Sequence, residues 1–421
     1  MTAQMGANQI NILIITRNAW DDTNSIGNTM SNFFGYIDGI NTANIYFRSA
    51  MPNNKVCTNY FRVTEKDIIR NYFTPGKIGK SFKYDCSVPK ETGYSSEKKL
   101  ISFVHRFGLK GVYTLSEFLW DSQKWLNKRL DEFVEDFNPD LVFTFAKSLP
   151  QYYHIIKYLH EKHRKKIVLW IADDEYTALN LSSNKKDKKR IARLKEIICN
   201  ASVVRGCSEE MCDYYNSLFD CNAKPLYKSC SFSYPVKRKV NNPIRIIYAG
   251  NLLFGRFEIL KEIADKLKEI NREKLIAVLE IYSSTPLSPE QSKDLTVPGV
   301  SSFNGVKPYA EIQKLMSESD LILHIESFEE KEILKTKYSF STKIIDCLQS
   351  GSVMLAVGPK EIASIRYSKT VPGVFVIDNE NNIKQGIYEA VSQSESYPER
   401  AAEIRNFAQK NHSPDKRWLS F

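Results

Sequence analysis

The sequence predicts an α/β protein of two domains, each a parallel β-sheet with helices on both faces. The chain has 421 residues, and one hydrophobic core rarely extends over so long a chain, so two domains of similar size are expected. Short apolar runs typical of buried strands alternate with amphipathic runs typical of helices. This alternation is typical of parallel sheets, whose consecutive strands are joined by covering helices.

In the first half, the apolar runs predict strands at residues 11–16, 44–47, 141–145, 167–171, 202–206 and 224–227. Helical patterns lie near residues 29–37, 66–73, 115–137, 151–163, 186–199 and 209–219. Residues 231–243 are polar and basic and contain two prolines. This composition predicts a linker between the domains.

In the second half, strands are predicted at residues 244–249, 275–282, 299–303, 321–325, 353–357 and 374–377. Helices are predicted near residues 257–270, 308–317, 342–350 and 399–411. The strand–helix alternation of the first half is therefore repeated, and the two halves share one architecture.

Composition narrows the cellular setting. The eight cysteines lack the dense, regular spacing of a disulfide scaffold, which indicates a reducing compartment. No apolar run reaches the length of a membrane span and the first nine residues are polar, so a soluble or peripheral protein is expected. The formal net charge of +10 is concentrated at residues 160–166 and 185–195. Such a surface attracts anionic lipid, nucleic acid or an anionic substrate, unless it is simply a solvated helix.

Residues 338–351 have the pattern of a helix whose start could hold an anion. Ser341 is a favoured N-cap, Thr342 and Lys343 open the first turn, and Gly351 stands where a left-handed residue ends a helix. Asp346 follows Thr342 by one turn, so a hydroxyl, a cation and a carboxylate converge. Phosphate suits the helix start and sugar hydroxyls suit the carboxylate, as in a nucleotide sugar. An ordinary capped amphipathic helix is the alternative.

A second segment has the strand–turn–helix order of a phosphate-binding α/β unit. A predicted strand ends at residue 249 and is followed by Gly250 and Asn251, and a helical pattern begins just after Arg256. Gly250 allows the backbone to approach a ligand closely, and Arg256 offers a charged fork for phosphate oxygens. A simple glycine turn is the alternative.

Together these segments resemble the donor-binding half of GT-B glycosyltransferases, in particular the large retaining family usually numbered four. That family often has Gly-Arg-Leu with a lysine five residues after the arginine; here Asn251 and Arg256 occupy those two positions. Of its two glutamates separated by seven residues, Asp346 matches the second and Tyr338 the first. Glu326, at the end of a predicted strand, is a candidate substitute. The segment around residues 339–359 is similar to a bacterial polysaccharide-assembly branch.

The resemblance implies two Rossmann-like domains whose parallel sheets face a central cleft. Residues 1–235 would form the acceptor-binding domain and residues 244–395 the nucleotide-sugar-binding domain. A C-terminal helix within residues 396–421 would cross back to the first domain. The donor would be a nucleotide-diphosphate sugar, and the acceptor a hydroxyl of a glycan or lipid-linked glycan in capsule, O-antigen or exopolysaccharide assembly.

The resemblance also implies roles for individual residues. The residues expected to bind the donor are Gly27, Gly250, Asn251, Arg256, Ser341, Thr342, Lys343 and Asp346. Catalysis would involve Arg256, Lys343, Glu326 and His105, with a structural or surface histidine as the alternative for His105. Asn28, after the first predicted strand, is expected to bind the acceptor. Asp173 and Asp174 end a predicted buried strand, where carboxylates can bind acceptor hydroxyls or transfer protons; a solvated acidic loop is the alternative.

No metal or cofactor is expected besides the donor, because the chain lacks the Asp-x-Asp spacing of metal-dependent GT-A enzymes. The expected location is cytoplasmic or peripheral on the inner face of the plasma membrane, with an anionic membrane surface as a further partner. Two rivals share the scaffold: a catalytically silent GT-B subunit, suggested by Asn251 and Tyr338, and a sugar-nucleotide epimerase. Nucleic acid is not expected as a partner, because the chain contains no recognisable binding module.

Overall fold

The structure, a computed structural model, describes residues 9–35, 37–85, 110–181 and 184–414. Contacts divide the chain into two compact units, one ending at Leu226 and the other running from Tyr227 to Pro414. Each unit is built around one sheet of mostly parallel strands with helices between them, which confirms the predicted architecture.

The strands of the first unit are β1 (Ile10–Thr16), β2 (Ile40–Tyr46), β3 (Asn59–Arg62), β4 (Lys80–Lys83), β5 (Leu141–Phe145), β6 (Lys166–Ile171), β7 (Val203–Gly206) and β8 (Lys224–Pro225). They are ordered β4-β3-β2-β1-β5-β6-β7-β8, and only the β3–β4 pair is antiparallel among these described strands. β5 is buried along its whole length, as expected for a strand covered on both faces. β3 and β4 were not predicted.

The helices of the first unit are α1 (Ser25–Phe34), α2 (Glu65–Arg70), α3 (Lys110–Asp121), α4 (Lys128–Phe137), α5 (Pro150–Glu161), α6 (Glu175–Asn180), α7 (Lys185–Cys199) and α8 (Glu209–Phe219). The prediction of one continuous helix over residues 115–137 was wrong. Gln123 has a left-handed φ of +55° and Asn127 caps α4 through the Arg129 amide, so the chain turns between two helices.

The strands of the second unit are β9 (Ile244–Ala249), β10 (Ala277–Tyr282), β11 (Ser301–Phe303), β12 (Leu321–Ile325), β13 (Val353–Val357) and β14 (Phe375–Ile377). They form a parallel sheet in the order β11-β10-β9-β12-β13-β14. The helices are α9 (Arg256–Ile270), α10 (Pro289–Asp294), α11 (Tyr309–Glu318), α12 (Glu330–Thr336), α13 (Lys343–Gln349), α14 (Ala363–Thr370), α15 (Ile383–Ser392) and α16 (Tyr397–Asn411).

The segment predicted to be a linker is hydrogen-bonded inside the second unit. The Lys237 amide donates to the carbonyl of Gly351 at 2.8 Å, and just upstream the Cys230 amide donates to the carbonyl of His412 at 2.7 Å. The last described helix, α16, packs against α13 and β13 of the same unit. The predicted return of residues 396–421 to the first domain stays a prediction.

Both sheets change winding direction at their centre. In the first unit β1 lies between β2 and β5, and in the second unit β9 lies between β10 and β12. In each sheet the chain first adds strands on one side of this central strand and then on the other. At such a switch point the carboxyl edge of an open parallel sheet has a crevice in which ligands bind.

Candidate functional site

The candidate site lies at the carboxyl edge of the second sheet, at the switch point between β9 and β12. The two strands are paired, with Ile247 opposite Ile322. The chain leaves β9 at Gly250 and leaves β12 at Glu326, so these two turns lie side by side. The structure therefore brings together two segments that the sequence separates by more than one βαβ unit.

The Arg256 guanidinium joins these two turns. One Nη donates to Asn251 Oδ1 at 2.8 Å, the other donates to Glu326 Oε2 at 2.8 Å, and Nε donates to the last carbonyl of β12 at 2.9 Å. Gly255, at φ +71°, allows α9 to start here, because a Cβ would lie 2.3 Å from Ser327 Oγ. The arginine is held rigidly before any ligand binds.

The Lys343 amine lies directly over Gly250. A Cβ added to Gly250 would stand 2.1 Å from Lys343 Nζ, and Nζ lies 5.8 Å from the centroid of the Tyr248 ring. Within the described part of the chain, no side chain or carbonyl pairs with this amine. Burial, together with the nearby charge of Arg256, lowers the pKa of Lys343 to about 8. Because a buried, unpaired cation is unfavourable, an anion bound at this position would stabilise it.

Glu326 and His324 lie behind the two cations, both almost completely buried. Burial raises the pKa of the Glu326 carboxyl, against the pull of Arg256 and Lys343. Burial also lowers the pKa of His324 to about 3, so its ring is neutral. His324 Nε2 has no hydrogen-bond partner among the described residues and stands 3.5 Å from Glu326 Oε1. Sequence reasoning missed His324; its only signal was a polar residue inside an apolar strand.

The start of α13 differs from the prediction. The helix begins at Lys343 with Thr342 as its N-cap, and the Thr342 side chain makes no capping hydrogen bond. The assignment of Ser341 as N-cap was wrong, because Ser341 lies one residue before the observed N-cap. The Ser341 amide donates to Ser364 Oγ at 2.9 Å. That amide is therefore not available to a phosphate. Gly351 is left-handed as predicted, with φ +86°.

Asp346 is engaged within the second unit. Its Oδ1 accepts hydrogen bonds from Lys228 Nζ at 2.6 Å and from the Tyr309 hydroxyl at 2.8 Å. The Lys228 side chain is only 2% exposed, so this is a buried ion pair. The expected ribose contact of Asp346 stays a prediction, and the structure shows a packing role that the sequence did not reveal.

Gly27 and Asn28 lie in the first turn of α1, and not in an open loop. The Gly27 amide donates to Asn24 Oδ1 at 2.9 Å, and a Cβ at Gly27 would stand 2.1 Å from the carbonyl oxygen of Asp21. Close packing of the backbone therefore explains the glycine without a ligand. The proposed contacts of Gly27 with the donor and of Asn28 with the acceptor stay predictions.

The acidic residues after β6 all have partners. Asp173 pairs with Lys147 at 3.0 Å, and Asp174 caps α6 through the Thr177 amide at 3.1 Å. The second oxygen of Asp174 is buried without a described hydrogen-bond partner. Their assignment to the acceptor stays a prediction, and His105, the remaining candidate, lies outside the described residues.

No group of three or more His, Cys, Asp or Glu side chains in the described part of the chain is arranged to hold a metal ion. None of the helices described has the length and apolar character needed to cross a bilayer.

The chain is similar to several solved structures over nearly its full length. HepE from Anabaena, solved in complex with UDP, gives a TM-score of 0.61 at 11% identity and covers 96% of each chain. Sucrose-phosphate synthase from Thermosynechococcus elongatus gives 0.60 at 11% identity, over 96% of this chain and 95% of the other. WaaG, a glycosyltransferase involved in lipopolysaccharide biosynthesis, gives 0.54 at 10% identity over 96% of each chain.

No protein-family model matches the chain, and no curated protein matches its sequence. The structural similarities confirm the predicted fold class: the chain has the GT-B fold, with two Rossmann-like α/β units.

Proposed function

We propose that the protein is a glycosyltransferase that moves a sugar from a nucleotide-diphosphate sugar to a hydroxyl of a glycan acceptor. The observation that carries the proposal is the Lys343 amine, which lacks a described partner and stands over Gly250 beside the fixed Arg256. This unpaired positive charge lies at the switch point of a GT-B sheet. HepE, which has the same fold, was solved with UDP and with UDP-glucose.

Two cations would act on the leaving diphosphate. As the glycosidic bond breaks, negative charge grows on the diphosphate, and a well-placed donor stabilises such charge by about 3 kcal/mol. Arg256 is held by Asn251 and Glu326 before the ligand arrives, so little reorganisation is needed. The Lys343 amine would gain an ion-pair partner only when the diphosphate is bound. Asn251 thus orients the cation, in the position where relatives of the resembled family carry an arginine.

Neighbouring groups would position the rest of the donor. Thr342 stands at the start of α13, where a phosphate oxygen is favoured by the helix dipole. Asp346 is the candidate for the ribose through the oxygen that Lys228 and Tyr309 do not use. Glu326, whose pKa is raised by burial, is the candidate for a sugar hydroxyl.

The finer parts of the proposal follow the sequence resemblance. They are retention of anomeric configuration, hexosyl transfer without metal, a lipid-linked glycan acceptor in bacterial surface-polysaccharide assembly, and a cytoplasmic, membrane-peripheral location. The acceptor would be held by the first unit, with Asn28, Asp173, Asp174 and His105 as its candidate residues.

A thermal-shift screen against UDP-, GDP-, ADP- and dTDP-sugars tests the proposal, because a ligand of the native state raises the apparent Tm. We expect one nucleotide class to raise the Tm, and Lys343→Ala or Arg256→Ala to abolish the shift. Lys147→Ala is the matched control, since it removes a cation from the carboxyl edge of the first sheet. If no nucleotide sugar raises the Tm of the unaltered protein, the proposal fails.

A catalytically silent GT-B subunit is the second candidate. It is favoured by Tyr338, which stands where the resembled family has its first glutamate. Nucleotide-sugar binding without release of nucleotide, in the presence of a panel of glycan acceptors, would support this candidate over the enzyme.

A further inference from the structure

The basic helix α7 is less positive than its sequence suggests. Its cations form ion pairs with acids of neighbouring elements, namely Lys186 with Glu117, Lys189 with Asp121, Arg190 with Glu175, and Arg193 with Asp121. Their distances range from 2.5 Å for Arg193 to 3.1 Å for Lys186. Ion pairs within the first unit therefore neutralise much of the positive charge of residues 185–195, which weakens the attraction of this helix for an anionic partner.

A different stretch of the first unit carries cations that are not neutralised. Residues 66–83, which run from α2 to the edge strand β4, expose five of them: Lys66, Arg70, Lys77, Lys80 and Lys83. In the described part of the chain none of the five has an ion pair. The nearby acids are already engaged: Glu65 accepts from Ser116 and Trp120, and Asp67 closes the capping box of α2. We refer to residues 66–83 as the α2–β4 surface.

Two large apolar side chains protrude from the α2–β4 surface. Ile69 is 58% exposed and Phe73 is 91% exposed. Phe73 lies beside a further cation, because Lys124 Nζ stands 5.8 Å from its ring centroid. Lys124 is anchored there by a 3.0 Å hydrogen bond to the carbonyl of Tyr72. The aromatic ring is therefore presented to solvent by a fixed turn and surrounded by positive charge.

We propose that the α2–β4 surface docks on an anionic lipid bilayer, with Phe73 and Ile69 at the headgroup level and the cations that share the helix face of Ile69, Lys66 and Arg70, on the lipid phosphates. Exposed aromatic and aliphatic side chains within a basic surface are the combination that binds the membrane interface. Protection of an edge strand accounts for Lys80 and Lys83, but it does not account for an exposed phenylalanine. This inference deepens the membrane location in the proposed function and gives it a definite surface.

Vesicle flotation of the full chain tests this docking. We expect binding to vesicles that contain phosphatidylglycerol, release by high salt, and no binding to pure phosphatidylcholine. Lys66→Glu with Arg70→Glu should weaken binding at least about tenfold. Ile69→Ser with Phe73→Ser should weaken it by a similar factor, because the apolar contact is lost. The matched control is Lys185→Glu with Lys188→Glu, which reverses two exposed charges of α7 and should change binding less than about threefold.

Two readouts keep the result interpretable. Thermal unfolding of each variant checks folding, and the thermal shift by a nucleotide sugar should persist in the α2–β4 variants. Vesicle binding without any nucleotide binding would refute the proposed function and support the docking. Equal binding to both kinds of vesicle, or an equal loss in the α7 control, would overturn the docking. A dimer that Phe73→Ser dissociates, with no vesicle binding, would also overturn it and assign the surface to a second copy.

Discussion

The carboxyl edges of the two sheets occupy equivalent positions in the two units, but they differ in how far their charged side chains are paired. At the first edge, Asp173 pairs with Lys147, and Glu175 pairs with Arg190 and accepts from Ser148. At the second edge, Arg256 pairs with Glu326, but Lys343 has no counterpart among the described residues. One edge is balanced by its own side chains, whereas the other keeps a surplus cation.

This difference indicates what each edge is built to do. Matched charges hold loops in place and leave no electrostatic reason for a ligand to bind. A partly buried cation without an anion is costly to the unliganded protein, and a ligand that supplies the anion removes that cost. Under the proposed function, the second edge would therefore favour a diphosphate, whereas the charged side chains of the first edge would have to exchange a present partner for the acceptor.

The largest expected effect is a loss of stability on neutralising the buried carboxylate of the second edge, compared with the exposed carboxylate of the first edge. Asp346→Asn leaves Lys228 charged and buried without a partner, so the unfolding free energy should fall by about 3 kcal/mol. Asp173→Asn should change it by less than about 0.5 kcal/mol, because that side chain is 70% exposed. Denaturant unfolding measures both values. Equal losses would show that the second edge is not more deeply buried than the first.

Two glycines offer a sharper comparison. Gly27→Ala places a Cβ against the Asp21 backbone, which cannot move away, and should destabilise the protein by about 2 kcal/mol. Gly250→Ala places a Cβ against two side-chain ends, the Lys343 amine and the Tyr248 hydroxyl, and not against backbone, so the loss of stability should be smaller, about 1 kcal/mol. Nucleotide affinity should nevertheless fall several-fold, because the amine is displaced. Calorimetric titration with UDP or the nucleotide found by screening, beside denaturant unfolding, measures both effects. Unchanged affinity in Gly250→Ala would argue against Lys343 as the diphosphate ligand.

The smallest effect is a pH dependence that belongs to the second edge alone. The pKa of Lys343 is lowered to about 8, so the free protein loses this charge as the pH rises through that value. Nucleotide affinity should then fall, by at most about tenfold per pH unit, until the pKa of the bound state is reached. Lys343→Arg stays charged at all these pH values and should bind with no inflection near pH 8. An inflection that persists in Lys343→Arg would place the titrating group elsewhere.

The buried strands could be predicted from the sequence more accurately than the exposed strands. β5, β9, β12 and β13 coincide with their predicted bounds, because strands covered on both faces are rich in apolar residues; in β9 and β12 a single polar residue, Arg245 or His324, interrupts the apolar run. β4 could not be found in this way, since it is an exposed edge strand that is stabilised by pairing with β3 and carries lysines at both ends.

For the candidate site, the sequence predicted Gly250, Arg256 and Lys343 from local turn and helix-start patterns, and the structure brings them together. It could not predict that the Ser341 amide is occupied by Ser364, or that Asp346 is paired with Lys228. It also placed the surplus positive charge on α7, where the structure neutralises much of it.

By itself, the sequence determined the two-unit α/β architecture and the short segments that bear the candidate ligands, because apolar periodicity and capping act over a few neighbouring residues. Only the tertiary structure decided which charges are neutralised and which are left for a ligand. Arg256 meets Glu326 across 70 residues and Lys228 meets Asp346 across 118. Such pairings depend on how strands and helices are brought together, and no local pattern records them.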